Sequence, residues 1–275
     1  MLLHVLLRQW MTNKGEVMKK LILTVLFLLI TSSVHAASYT DDANCMGSWG
    51  MEDDGNETDR SGEGETLTET GGDIPQSATK QEGTYSRDFE VGDTEYLTHA
   101  DGGSTEINGL NQSISITLWA RRESETGAQQ WMVSKYNGAV GQRQYAVLSD
   151  TDEQVYCGIC EAVGTCTWAV TANSVISDAT WAHIACVYND TDIRIYIDGS
   201  LSSNGADNPK AYVDGIVNST AAFMIGSSSS PSGYYNGLID DVGIFDKALS
   251  SSDVSDIYTN TLAGGAAARR IIMVN

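Results

Sequence analysis

A chain of 275 residues, 41% of them hydrophobic, can fill one large core or two small ones. Its 27 glycines against 3 prolines, with 19% charged residues, suit a turn-rich β protein better than a helical bundle. A net charge of −20 repels a phosphate backbone, which argues against a nucleic-acid partner and draws cations to the surface.

In chain order, the first feature is "MKKLILTVLFLLITSSVHA", opening at Met18 with Lys19 and Lys20. An apolar run from Leu21 to Ile30 and the small-residue pattern Val34-His35-Ala36 follow. This is the anatomy of a secretory signal peptide, and the run is too short to span a bilayer. The expected organisation is an over-called start plus signal peptide over 1–36 (the peptide itself at about 18–36) and a short mature segment over 37–42. One domain over 43–262 and a flexible tail over 263–275 complete it. No membrane span is expected in the mature chain, and the expected location is extracellular or cell-surface.

After the apolar segment Cys45–Met51 comes a long acidic, glycine-rich loop. Strand patterns then become regular. "SISITLWARR" sets Ile114, Ile116 and Leu118 against Ser115, Thr117 and Trp119. "QWMVSKY", "RQYAVLSD", "QVYCGIC", "CTWAVT", "WAHIACVY", "DIRIYIDG", "AAFMIG" and "GLIDDVGIF" continue the series between Gly, Asn, Asp and Ser turns. Asp198-Gly199 predicts a tight hairpin turn, and Ser250 or Ser251 caps a short helix with Val254, Ile257 and Tyr258 on one face. Many short strands at this spacing predict an all-β antiparallel two-sheet sandwich with one short C-terminal helix.

Export makes disulfides the expected state of the cysteines. Cys160 and Cys166 bracket "EAVGT", a hairpin tip, and can pair across it; Cys157 with Cys186 is a second candidate pair, which leaves Cys45. Spacing alone leaves the connectivity open.

Several chemistries find no motif. The Glu-x-Asp-x-x-Glu arrangement of a retaining glycosidase is absent, "DTDEQ" at 150–154 reading as a polar turn. No Gly-x-Ser-x-Gly elbow or His-Glu-x-x-His helix occurs, and His183 within "WAHIACVY" reads as a packed strand histidine. Catalysis is therefore not expected, and a glycoside hydrolase ranks last among the candidates. For ligand capture, Tyr234, Tyr235 and Asn236 at the loop tip "SSSSPSGYYNG" are the foremost candidates, with Trp131, Tyr136 and Trp168 behind them.

The order of segments resembles the laminin-G-like, concanavalin A-like jelly-roll domains. The similar stretches are "CMGSWGMEDD", "DRSGEG", "YSRDFEVGDTEYLT", "SISITLWARR", "ATWAHIACVYNDTDIRIYIDGSL" and "YYNGLIDDVGIFDKALSSSDVSDIY". The resemblance implies a secreted binding or adhesion module that recognises a glycan or a cell-surface or matrix component. It also implies a structural calcium ion tying the first loop to the last strand, through Asp59 and one of Asp240 or Asp241. Simple strand alternation turns one member of that aspartate pair inward, where it needs a partner. The alternative function is a structural or virion and surface-layer decoration subunit that uses the same sandwich for self-assembly.

Overall fold

The computed structural model describes residues 39–101, 107, 113–139, 141–161, 164–228 and 233–262. The expected signal peptide and the 263–275 tail lie outside the described residues. A 3₁₀ turn at Tyr39–Asp41 leads into β1 (Cys45–Trp49), β2 (Thr68–Thr70), β3 (Gln76–Ser77), β4 (Ser86–Phe89) and β5 (Tyr96–His99). The central strands are β6 (Ile114–Arg122), β7 (Gln130–Tyr136), β8 (Arg143–Ser149), β9 (Val155–Cys160) and β10 (Cys166–Val170). Then follow β11 (Ala182–Tyr188), β12 (Asp192–Ile197), β13 (Ser200–Leu201), β14 (Lys210–Ala211), β15 (Phe223–Ile225) and β16 (Gly237–Phe245). Helix α1 (Ser251–Leu262) closes the described part.

The strands form two antiparallel sheets. One has nine strands in the order β13-β12-β11-β6-β16-β4-β3, with β1 on β16 and β14 on β12; the other has seven, β10-β9-β8-β7-β15-β5-β2. The period-two patterns of the sequence assign the faces. Ile114, Ile116 and Leu118 of β6 meet Val133, Tyr145, Val147 and Ile159 of the opposing sheet in the central core. Each such buried side chain contributes about 1.5–3 kcal/mol relative to exposure. Cys157 and Cys186 are bonded across that core, joining β9 to β11, and Cys160 is bonded to Cys166 within the β9–β10 hairpin. Both expected pairs are thus present, and Cys45 is a buried free thiol.

The outer face of the nine-stranded sheet is covered by the chain itself. Val254 and Ile257 of α1 pack with Leu249 onto Ala185, Val187, Tyr196 and Phe245. The helix starts in a reciprocal cap: the Asp253 amide donates to Ser250 Oγ at 3.1 Å, and the Ser250 amide donates to Asp253 Oδ2 at 2.9 Å. His183 lies on the same face, fully buried against Trp119 and Tyr258, and burial lowers its pKa to about 3.

β16 departs from simple alternation. Its register against β6 shifts between Asp240 and Gly243, and Asp241 sits at φ 45°. A bulge of this kind re-aims side chains. Asp240 and Asp241 are therefore both buried, at 0% and 3% exposure, instead of one facing solvent.

Candidate functional site

The three aspartates expected to hold calcium do not form one ligand set. Asp59 organises its own loop: its carboxylate accepts the amides of Ser48, Ser61 and Gly64 at 2.9 Å and of Glu65 at 3.1 Å, plus the Ser61 hydroxyl at 2.7 Å. Burial pushes this carboxyl upward, but the amide donors outweigh it and hold the pKa below the usual value. Asp241 Oδ1 accepts from Arg60 Nη2 at 2.6 Å and from the Tyr39 hydroxyl at 2.5 Å. Asp240 Oδ2 accepts the Gln81 and Glu82 amides at 2.7 and 2.9 Å, while Oδ1 is buried with no hydrogen-bond partner. Burial, then the charges of Asp241 and Glu82, keep Asp240 well above the carboxylate range despite those two amides. Calcium wants about six to eight free oxygens around one point. Here Asp59 has spent its oxygens on amides, and a guanidinium stands against Asp241.

Among the described residues, a different acidic group could hold a metal ion: Asp88, Glu90 and Glu123, with ligand atoms within 4.8 Å of one another. Asp88 belongs to β4, Glu90 follows it, and Glu123 follows β6, so β16 lies between their strands. Asp88 Oδ1 is buried without a hydrogen-bond partner. Burial first, then Glu123 and Glu90, raise the Asp88 pKa to about 6.

The loop residues expected to take a ligand divide. Tyr235 is fully buried in the core, where burial raises the pKa of its hydroxyl. Its ring is therefore not available to stack on a ligand. Asn236 is buried as a connector: its amide donates to Gln130 Oε1 at 3.1 Å, its Nδ2 to Ser124 Oγ at 3.1 Å, and its carbonyl accepts from Glu123. Tyr234 alone of the three is half-buried, with its ring 6.5 Å from that of Tyr96.

The outer face of the seven-stranded sheet carries the more concentrated chemistry. Trp131 and Tyr136 of β7, Tyr156 of β9 and Trp168 of β10 are all half-buried there. Ring centroids lie 4.9 Å apart for Trp131–Tyr136, 6.4 Å for Trp131–Trp168, 6.3 Å for Tyr136–Trp168 and 6.5 Å for Tyr156–Trp168. The Arg143 guanidinium lies 5.4 Å from the Tyr136 ring centroid, and Arg143 Nη2 donates to the Gly138 carbonyl at 2.6 Å. The Tyr156 hydroxyl donates to Asp150 Oδ2 at 2.7 Å.

The register explains why the rings can lie here. Trp168 pairs with Gly158, and Gly158 with Ala146, so small residues form the floor beneath the indole. A Cβ at Gly158 would come within 2.6 Å of the Trp168 ring. The adjacent row runs Val170, Tyr156, Leu148, Trp131 across β10, β9, β8 and β7. Gly233, whose Cβ would meet the Trp131 ring at 2.6 Å, leads from there to Tyr234 and so to Tyr96 on β5. From β10 to β5 is about 24 Å at about 4.8 Å per strand.

Residues 91–255 match the Concanavalin A-like lectin/glucanases superfamily, and the chain belongs to that family. It is also similar to Adhesion G-protein coupled receptor V1 of Danio rerio, 26% identical over 151 residues, which are 53% of this chain and 2% of the receptor. Among solved structures it resembles Domain 4 of AbnA, an extracellular arabinanase from Geobacillus stearothermophilus, in complex with arabinotriose. The TM-score there is 0.58 at 17% identity, covering 78% of this chain and 98% of that domain. The binding domain of botulinum neurotoxin DC in complex with SialylT gives a TM-score of 0.62 at 14% identity, covering 81% of this chain and 52% of the other. At such identities the likeness is one of fold. No helix among the described residues is long and apolar enough to cross a membrane.

Proposed function

We propose that this chain is a secreted, non-catalytic carbohydrate-binding module that holds a neutral, extended glycan across the outer face of its seven-stranded sheet. The observation that carries the proposal is the group of four half-buried rings, Trp131, Tyr136, Tyr156 and Trp168, on one sheet face, with Gly158 and Ala146 in line with Trp168. Aromatic faces match the apolar C–H faces of sugar rings, and sparse polar groups such as Arg143, Asp150 and the Tyr156 hydroxyl orient the hydroxyls. The net charge of −20 favours a neutral glycan over an anionic one. The continuation to Tyr234 and Tyr96 favours an internal stretch of a linear chain over a single terminal sugar.

The disulfides suit an oxidising compartment, and the structural neighbours solved with arabinotriose and with SialylT support a glycan of a cell surface or matrix as the partner. Calcium enters the proposal as a stabiliser at Asp88, Glu90 and Glu123, where an ion would relieve the crowding of three carboxylates. Catalysis is left out because the sequence lacks a retaining carboxylate pattern and His183 is buried away from solvent.

A glycan array probed with wild type and Trp168→Ala, in calcium and in EDTA, tests this. The expected result is retention of linear neutral oligosaccharides by wild type and an affinity loss of about 30-fold or more in the variant. If no glycan is retained and Trp168→Ala instead abolishes self-association in light scattering, the sandwich is an assembly subunit.

A further inference from the structure

We infer that the Arg60 guanidinium is the built-in cation of the junction between the first loop and the last strand, so that this junction holds without a metal ion. Three chain segments converge there. The loop after β1 is clipped to that strand by two bonds: the Ser48 amide donates to Asp59 Oδ1 at 2.9 Å, and the Arg60 amide donates to the Ser48 carbonyl at 2.7 Å. Ser48 pairs in turn with Gly243 of β16. That docking aims the Arg60 side chain at the β16 bulge, where Nη2 meets Asp241 at 2.6 Å. Its other arm, Nη1, lies 3.3 Å from Glu82 Oε2, and the Glu82 amide itself binds Asp240. One planar fork thus joins the first loop, the 80–85 loop and the last strand.

The route is kept open by a glycine. A Cβ at Gly50 would collide with the guanidinium, so the backbone at that position leaves room for the arginine to pass. Arginine suits the task because its fixed fork reaches two carboxylates in separate directions, which a single ammonium cannot do with the same geometry. A calcium ion at this place would have to displace Arg60 and recruit oxygens that Asp59 has already committed to four amides and a hydroxyl. Tyr39 completes the enclosure by donating its hydroxyl to Asp241 at 2.5 Å. The sequence pattern Asp-Arg-Ser-Gly therefore carries both halves of the device: Asp59 shapes the loop, and Arg60 supplies the charge.

Thermal melts of the whole protein at matched ionic strength, in millimolar calcium and in EDTA, provide the test. Arg60→Gln is expected to lower Tm by about 5 °C or more in EDTA, since removing the half-buried guanidinium leaves the buried Asp241 charge without its cation. Arg60→Lys recovers only part of that loss. Asp241→Asn shows the same calcium-induced shift as wild type, whatever its size, because no ion sits on that carboxylate. A calcium shift present in wild type and abolished by Asp241→Asn overturns the inference, as does a wild-type Tm for Arg60→Gln in EDTA. Where Arg60→Gln fails to fold, calorimetric titration with calcium decides. Equal calcium stoichiometry in wild type and Asp241→Asn supports the built-in cation, and one equivalent fewer in the variant refutes it.

Discussion

Among the described residues, the nine-stranded sheet turns its outer face toward its own chain, whereas no helix covers the outer face of the seven-stranded sheet. On the first, α1 and the segment before it bury Ala185, Val187, Tyr196 and Phe245, and the β16 bulge draws acidic loops onto Asp240 and Asp241. On the second, Trp131, Tyr136, Tyr156 and Trp168 remain half-buried with no helix above them among the described residues. The covered face solves a stability problem by matching charges and packing a helix. The open face keeps apolar rings where they contribute little to the core but can meet a ligand. Half-buried aromatic clusters on an open face suit recognition, and buried charge clusters suit architecture.

Three perturbations sharpen that contrast, beginning with the largest effect. Replacing both Trp131 and Trp168 by alanine removes most of the stacking surface and is expected to weaken glycan binding by about 100-fold or more. Isothermal titration with linear oligosaccharides measures it. A Tm loss far exceeding that of an ordinary surface substitution would instead move the rings into the category of core.

Next comes the covalent frame beneath the aromatic face. Tyr156 and Gly158 flank Cys157, whose bond to Cys186 spans 29 residues, whereas Cys160–Cys166 spans 6. Loop-closure entropy therefore makes the first bond the stronger constraint, at about 3 kcal/mol or slightly more. The paired substitution Cys157→Ala with Cys186→Ala is expected to lower Tm by about 10 °C, well beyond the effect of Cys160→Ala with Cys166→Ala, as read by scanning calorimetry.

The smallest effect belongs to the acidic loops. Glu57 is buried beside Arg87, and burial, with Asp53 adding to it, raises its pKa to about 7 from 4.5. A carboxyl whose folded pKa is raised binds more protons folded than unfolded. Its contribution to stability is thus greatest below the unfolded value and is lost as pH rises through 7. Asp88 and Asp240 shift in the same direction, while Asp42 and Asp59 are lowered and set the acid limit below about pH 4. Tm is expected to rise as pH falls from 8 to about 5. Glu57→Gln should flatten that rise by about 1–2 kcal/mol, and a Tm that instead increases toward pH 8 would contradict it.

Much of the fold was legible because strand patterns report faces directly. "SISITLWARR" told inside from outside correctly, whereas the sequence offered Cys157 with Cys186 only as a candidate pair, and the structure shows it bonded across the core. The pair Asp240-Asp241 misled because a bulge breaks the period, and nothing in "LIDDVG" marks a φ of 45° at Asp241. Tyr235 and Asn236 misled in another way: a Gly- and Ser-rich loop tip looks exposed, but the chain dives into the core immediately after Tyr234. Trp131, Tyr136 and Trp168 of the aromatic face were legible as secondary candidates, and strand alternation adds Tyr156 to them. Val155, Cys157 and Ile159 read as inward, which leaves Tyr156 and Gly158 outward, and Ala169 inward leaves Trp168 outward. Missing was the exact register of the consecutive hairpins β7–β8–β9–β10, which the irregularities at Trp131/Val133 and Lys135/Tyr136 shift away from simple alternation.

Recognition by the open sheet face is tested most directly by one substitution at its floor. Gly158→Val inserts a side chain where even a lone Cβ would come within 2.6 Å of the Trp168 ring, on the outward side of β9 and away from the core. Affinity for linear neutral oligosaccharides, measured by isothermal titration beside a circular-dichroism melt, should fall by about tenfold or more. Tm should stay within a few degrees of wild type. Unchanged affinity in a folded Gly158→Val protein would contradict glycan recognition on this face.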